Sequence, residues 1–150
     1  MTPPGLSPDR LAYTTRWAVR TYELDLNGHV NNAIYLNYAE QIASEHAEAI
    51  GFGRAWSAAQ GAGWVARRHE LVYHQPAYYG DELELTTRVE VMRGARGHRY
   101  TTITRISDGT LLTDIRTEWV WVRLSDGRPA RIPPELVTMV PPDGEERTTR

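Results

Sequence analysis

Asp25, Asn27, His29, Asn31 and Asn32 all fall within D-L-N-G-H-V-N-N, immediately ahead of a segment that turns apolar at Ala33. Residues of these types at this spacing can do one of two things. They can start a helix, because Asp and Asn side chains accept the orphan N–H groups of a first turn. They can also build a reaction centre, with the carboxylate as base or nucleophile and the imidazole and amides around it. A turn needs only one or two such residues, and this run holds more. Gly28, inside it, serves backbone geometry, allowing positive φ or the close approach of another group.

The elements that must position this run follow from periodicity. L-A-Y-T-T-R-W-A-V (11–19) alternates at period two and reads as a strand. Over 30–50, Tyr35, Tyr38, Ala39, Ile42, Ala43, Ala49 and Ile50 share one side of a 3.6-residue wheel, with Asn37, Glu40, Gln41, Ser44, Glu45 and Glu48 on the other. That is a long amphipathic helix, closed by Gly51. A short extra turn fits 54–60. Strand patterns follow at 63–74, 82–92, 99–107 and 111–124, with a turn at S-D-G-T (107–110). In the second of these, Leu83, Leu85, Thr87, Val89 and Val91 form one face. One helix cannot cover both faces of a five-stranded antiparallel sheet, so the sheet must curl around it and leave surface for another subunit.

The chain has 150 residues, 41% hydrophobic and 24% charged, with net charge −2. One domain is expected over 10–137, with flexible tails at 1–9 and 138–150. Nothing in the charge points to nucleic acid. With no cysteine, a thiol nucleophile and thiolate metal sites are excluded, and no metal site is expected. No apolar run is long enough to span a membrane, and M-T-P-P-G-L-S-P-D-R has no signal-peptide core, so a cytoplasmic protein is expected.

With the motif at the head of the helix, the order β, long α, four β resembles the hotdog-fold thioesterases over about residues 10–125. D-L-N-G-H-V-N-N-x-x-Y is similar to the D-x-x-G-x-V segment of the 4-hydroxybenzoyl-CoA thioesterase type. It is more similar still to D-x-N-x-H-V-N-N of the plant acyl-ACP thioesterases. Y-x-x-P-A-x-x-G-D-E-L (73–83) and R-I-S-D-G-T-L-L (105–112) resemble the family too. The resemblance implies a hotdog fold of α+β class, a five-stranded antiparallel sheet wrapped around one long central helix. It implies hydrolysis of an acyl-CoA or acyl-ACP thioester in a homodimer or homotetramer, with no cofactor beyond the coenzyme A of the substrate. Asp25, Asn27 and His29 then carry the catalysis. The further Glu and Cys of the plant enzymes have no counterpart in Y-H-Q-P-A-Y-Y-G-D, which leaves Asp25 as the central carboxylate.

The remaining expectations concern substrate. Gly28, the amides near Asn32 and Tyr35 would line the reacting centre, the amides polarising the thioester carbonyl as the positive end of the helix. Arg93, Arg96 and Arg99, clustered with glycines at a hairpin, would grip the phosphates of coenzyme A. Arg67 and Arg68 are lesser candidates, because neighbouring strand residues face opposite ways. His46, in the apolar arc, reads as a core or interface residue. Trp119 and Trp121 read as core or interface. Two other activities fit the scaffold, an enoyl-thioester hydratase and a non-catalytic acyl-thioester binding module. The hydratase motif D-x-N-P-x-H has one more residue between Asn and His than this chain does.

Overall fold

A computed structural model describes residues 2–141. Five strands, β1 (Ala12–Ala18), β2 (Ala62–Tyr73), β3 (Glu82–Arg93), β4 (Arg96–Arg105) and β5 (Leu111–Arg123), form one antiparallel sheet in the order β1-β3-β4-β5-β2. The helix α1 (Ile34–Ala49) lies against β1 and β3. Two shorter helices follow, α2 (Arg54–Gln60) and α3 (Pro134–Val137), the second not anticipated from periodicity.

The alternation of β3 explains the core. Leu83, Leu85, Thr87 and Val89 are buried, and Leu83 and Leu85 share one cluster with Tyr35, Tyr38, Ala39 and Ile42 from α1 and with Ile103 and Ile115 from the neighbouring strands. Truncating a fully buried Ile such as Ile42 to Ala costs about 2–5 kcal/mol in such cores. Val91 departs from the expected face. A bulge between Val89 and Val91 places it opposite the exposed His98, and Met92 opposite buried Gly97. A second bulge, between Ala66 and Arg68, frees Arg67 from strict alternation.

A smaller cluster closes the other end of the sheet. Trp121, Ile132 and Leu136 are buried there against Phe52, Trp56 and Trp64. The stretch expected to be a loose leading tail folds back on β1 through Leu6 opposite Tyr13 and the Gly5 carbonyl on the Thr14 amide. Of the expected trailing tail, Met139 packs on the smaller cluster, and residues 142–150 lie outside the described residues. No helix among the described residues is long and apolar enough to cross a membrane.

His46 is fully buried, and its ring stacks on Tyr13. Its Nε2 donates to the Arg10 carbonyl at 2.8 Å, and its Nδ1 accepts from Arg99 Nη1 at 2.9 Å. A carbonyl only accepts and a guanidinium only donates, so this ring is the neutral Nε2–H tautomer. Burial, then the Arg99 charge, pushes its pKa from 6.5 down to about 4. The folded ring therefore takes up a proton less readily than the unfolded one. Its contribution to stability is complete above pH 6.5 and is lost as pH falls toward 4, by roughly 3 kcal/mol. Urea unfolding between pH 7 and 4 checks this against His46→Gln, whose amide can donate to Arg10 and accept from Arg99. We expect the variant to lose that part of the pH slope; an unchanged slope would exclude His46 as its source.

Candidate active site

The run ahead of α1 folds as a short antiparallel ribbon. The Asp25 amide donates to the His29 carbonyl at 2.7 Å, Leu24 bridges Val30, and the Asn31 amide donates to the Glu23 carbonyl at 2.8 Å. A tight turn closes the tip, with the Gly28 amide on the Asp25 carbonyl and Gly28 at φ +78°. Nothing lies within 4 Å of where a Cβ would stand on Gly28, so the turn conformation, not crowding, calls for glycine.

The Asp25 carboxylate is shared unequally. Oδ1 accepts the Asn27 amide at 2.8 Å and the His29 amide at 3.0 Å. Oδ2 has no hydrogen bond among the described residues, and Asp25 is half-buried. One oxygen therefore fixes the loop and the other stays available. Asn27 is exposed and acts on the carboxylate through its backbone amide. The His29 ring sits edge-on to Tyr78 at 5.0 Å.

Helix starts leave amides without partners, but most of these are taken. The Asn31 amide goes to Glu23, the Ala33 amide to the Asn31 side chain at 2.9 Å, and the Ile34 amide to the Asn31 carbonyl. The Asn32 amide has no acceptor among the described residues, and Asn32 is exposed. Tyr73 steadies this peptide by donating its hydroxyl to the Asn32 carbonyl at 2.9 Å.

Two braces hold the ribbon. Glu23, buried, accepts the Tyr38 hydroxyl at 2.6 Å and the Arg20 amide at 2.8 Å on Oε1, and pairs with the Arg20 guanidinium at 3.2 Å. Burial, then the Glu23 bond, drives the Tyr38 hydroxyl far above its usual pKa, so it stays a donor. On the other side the Val30 amide donates to the Ala77 carbonyl and the Ala77 amide to the Tyr35 hydroxyl. Tyr35 is buried, its pKa raised first by that burial and, among smaller effects, by the nearby Asp25 charge. The Ala77 turn is pinned in its turn by Arg105, which reaches Asp81, Asp108 and the Pro76 carbonyl. The two later motifs of the sequence thus meet at one arginine. Sequence reasoning missed Glu23 and Tyr38 as a pair, although Arg20-x-x-Glu23 spacing and a tyrosine one turn after Tyr35 were both there to read.

The arginines at the hairpin do not form the expected trio. Arg96 points outward and shares Glu118 with Arg67 and His98, at 2.9, 2.8 and 3.3 Å. Those donors, Arg96 foremost, hold the Glu118 carboxyl at about 2. Arg93 is exposed at the end of β3. Arg99 faces the opposite way, toward His46 and Thr87. Strand alternation separates it from Arg96, so it cannot join an outward phosphate grip. Arg67, aided by the bulge, takes its place beside Arg96.

A cavity of about 520 Å³ lies between the flank of α1, α2 and strands β2, β3, β4 and β5. Ala43, Ala47, Trp64, Val89, Arg99 and Trp119 are among its lining; Asp25, Asn27 and His29 are not. No group of His, Cys, Asp and Glu suited to a metal ion occurs among the described residues.

Comparison with known proteins agrees with this architecture. The chain is 28% identical over 122 residues to the long-chain acyl-CoA thioesterase FadM of Escherichia coli (strain K12), covering 81% of this chain and 92% of that protein. It is 29% identical over 118 residues to the chloroplastic acyl-acyl carrier protein thioesterase ATL3 of Arabidopsis thaliana, covering 79% of this chain and 62% of that longer protein. The solved 1,4-dihydroxy-2-naphthoyl-CoA thioesterase of Synechocystis superimposes with a TM-score of 0.78 at 17% identity, over 86% of this chain and 95% of that one, a likeness of fold. The sequence model of the thioesterase-like superfamily matches residues 19–139. With four-fifths of its length matched and the expected hotdog sheet in place, the chain belongs to the thioesterase-like superfamily.

Proposed function

We propose that the chain hydrolyses an acyl thioester carried on coenzyme A or acyl carrier protein, with Asp25 as the reacting carboxylate. The observation that carries this reading is the division of labour within one side chain. Asp25 Oδ1 is committed to two amides while Oδ2 is uncommitted, at the end of a ribbon that leads to the unpartnered Asn32 amide. A helix cap needs no spare oxygen. The family membership and the thioesterase relatives support the same chemistry.

In this reading the thioester carbonyl oxygen accepts the Asn32 N–H at the positive end of α1. Asp25 Oδ2 removes a proton from a water that attacks the carbonyl carbon, or attacks that carbon itself to give a mixed anhydride that a water then hydrolyses to free acid and Asp25 carboxylate. The tetrahedral oxyanion is held by the amide, the C–S bond breaks, and the sulfur leaves as the thiol. A single oxyanion donor of this kind is worth about 10²–10³ in rate. Asn27 orients the carboxylate through its backbone, His29 and Tyr35 stand beside the reacting centre, and Gly28 keeps the turn tight. On the outer face, Arg96 and Arg67 surround one carboxylate with two guanidinium groups, a surplus of positive charge suited to the nucleotide phosphates of coenzyme A.

One experiment tests the reaction and the carrier grip together. The purified protein is given acyl-CoAs, the matching acyl-pantetheines and an enoyl-CoA, with free thiol and enoyl absorbance both followed. We expect thiol release. Loss of enoyl absorbance without thiol would make the protein a hydratase, and binding without either would make it a carrier module. In the Arg67→Ala/Arg96→Ala chain, KM should rise several-fold for acyl-CoA relative to the same acyl-pantetheine, which lacks those phosphates. An equal change for both substrates would remove the phosphate contact.

Assembly follows from the sheet. Among the described residues the outer edge of β2 carries no partner strand, and Val65, Val72 and Tyr73 are exposed along it. Such an edge is a template for pairing with a second copy. We expect a homodimer or homotetramer at micromolar concentration in sedimentation velocity; a monomer there would contradict the pairing.

A further inference from the structure

We propose that the cavity beside α1 receives the far end of the acyl group, and that Arg99 selects there a chain ending in a second carboxylate. This rests on the thioesterase reading for the reaction and goes beyond it in naming the acyl class.

The cavity, at about 520 Å³, has the size of a small-molecule site. Much of its wall is apolar, from Ala43, Ala47, Trp64, Val89, Met92 and Trp119. Arg99 stands out among these residues. It is half-buried, and desolvation brings its pKa down to about 10, so it remains a cation at neutral pH. Its two hydrogen-bond partners, His46 Nδ1 at 2.9 Å and Thr87 Oγ1 at 3.3 Å, are both neutral and both taken by Nη1. No carboxylate among the described residues pairs with it. Arg16, Arg20, Arg67, Arg88, Arg96, Arg105 and Arg123 each have one.

A cation partly withdrawn from water without a counter-charge carries a desolvation cost that no ion pair offsets. A structural role would be served better by a neutral side chain. The arrangement makes sense when an anion arrives with the ligand. The His46 tautomer, fixed by the Arg10 carbonyl, holds one arm of the fork and leaves Nη2 and Nε as donors, a geometry that matches a carboxylate. Of the acidic residues in the lining, Glu48 is already occupied by the Arg54 amide, and Glu40 is exposed on the α1 flank.

The helix also sets a length. From Ile34, where the thioester would dock, to His46, which holds Arg99, α1 advances about 18 Å. An extended alkyl chain with C–C bonds of ~1.5 Å advances about 1.25 Å per carbon, so about 14 carbons span that distance.

Two measurements test this. Laurate and dodecanol share a chain and differ in charge, and Trp64 and Trp119 in the wall report their binding by fluorescence. We expect laurate to bind at least about tenfold more tightly, the worth of one charge-assisted hydrogen bond. Arg99→Met should abolish that preference and Arg99→Lys should restore part of it. The second measurement is the ratio of kcat/KM for tetradecanedioyl-CoA to that for myristoyl-CoA, which should fall at least about tenfold in Arg99→Met. Equal affinity for acid and alcohol in the unaltered protein, or a preference that survives Arg99→Met, would overturn the proposal. So would an equal loss on both CoA esters. Should Arg99→Met not fold, the acid–alcohol comparison in the unaltered and Arg99→Lys chains decides. An Arg99-dependent laurate preference without hydrolysis of either ester would support the anion site and defeat the thioesterase reading alone.

Discussion

The buried carboxylate of Glu23 is the constraint on which the candidate site depends. It sits between the end of β1 and the first turns of α1, and its oxygens are consumed by Tyr38 and Arg20. Its backbone carbonyl meanwhile takes the Asn31 amide. One residue thereby joins the ribbon that bears Asp25 to the helix whose start bears Asn32. A charged group withdrawn from water keeps its place only when every partner is present, and hydrogen bonds to such a charge are worth about 1.5–3 kcal/mol each. The clamp is therefore both strong and specific in geometry, as a pre-positioned reacting pair requires.

From that clamp the order of the site follows outward. Gly28 lets the ribbon turn within a few residues, and Asp25 Oδ1 closes the turn on two amides. The Ala77 turn braces the far side through Val30 and Tyr35, and Arg105 holds that turn against the sheet. The aromatic residues of α1 do double duty. Tyr35 and Tyr38 fill the core with their rings and spend their hydroxyls on the two braces, so core packing and site geometry cannot vary independently.

Much of this was legible in the sequence, for reasons that can be given residue by residue. Period two in β3 and the 3.6-residue arc of α1 report burial directly, and burial is what built those elements. The polar run before the helix announced itself because no turn needs so many hydrogen-bonding side chains. What stayed hidden was what alternation cannot carry. The bulges at β2 and β3 turn Val91 outward and bring Arg67 to Glu118, and nothing in residue type marks either. The helix begins at Ile34 rather than Val30, because the Leu24–Val30 pairing claims the intervening backbone. Arg99 was placed with Arg93 and Arg96 by closeness in sequence. Once β4 is seen to start at Arg96, alternation alone sends Arg99 to the other face.

The central claim is that Asp25 reacts as well as caps. Asn caps a backbone turn about as well as Asp does, yet it is a poor base and a poor nucleophile. Steady-state hydrolysis of an acyl-CoA by Asp25→Asn, taken together with its melting temperature, separates the two roles in one protein. The account predicts kcat lower by at least about 10²-fold with a nearly unchanged melting temperature. Near-normal turnover in the well-folded variant would contradict it.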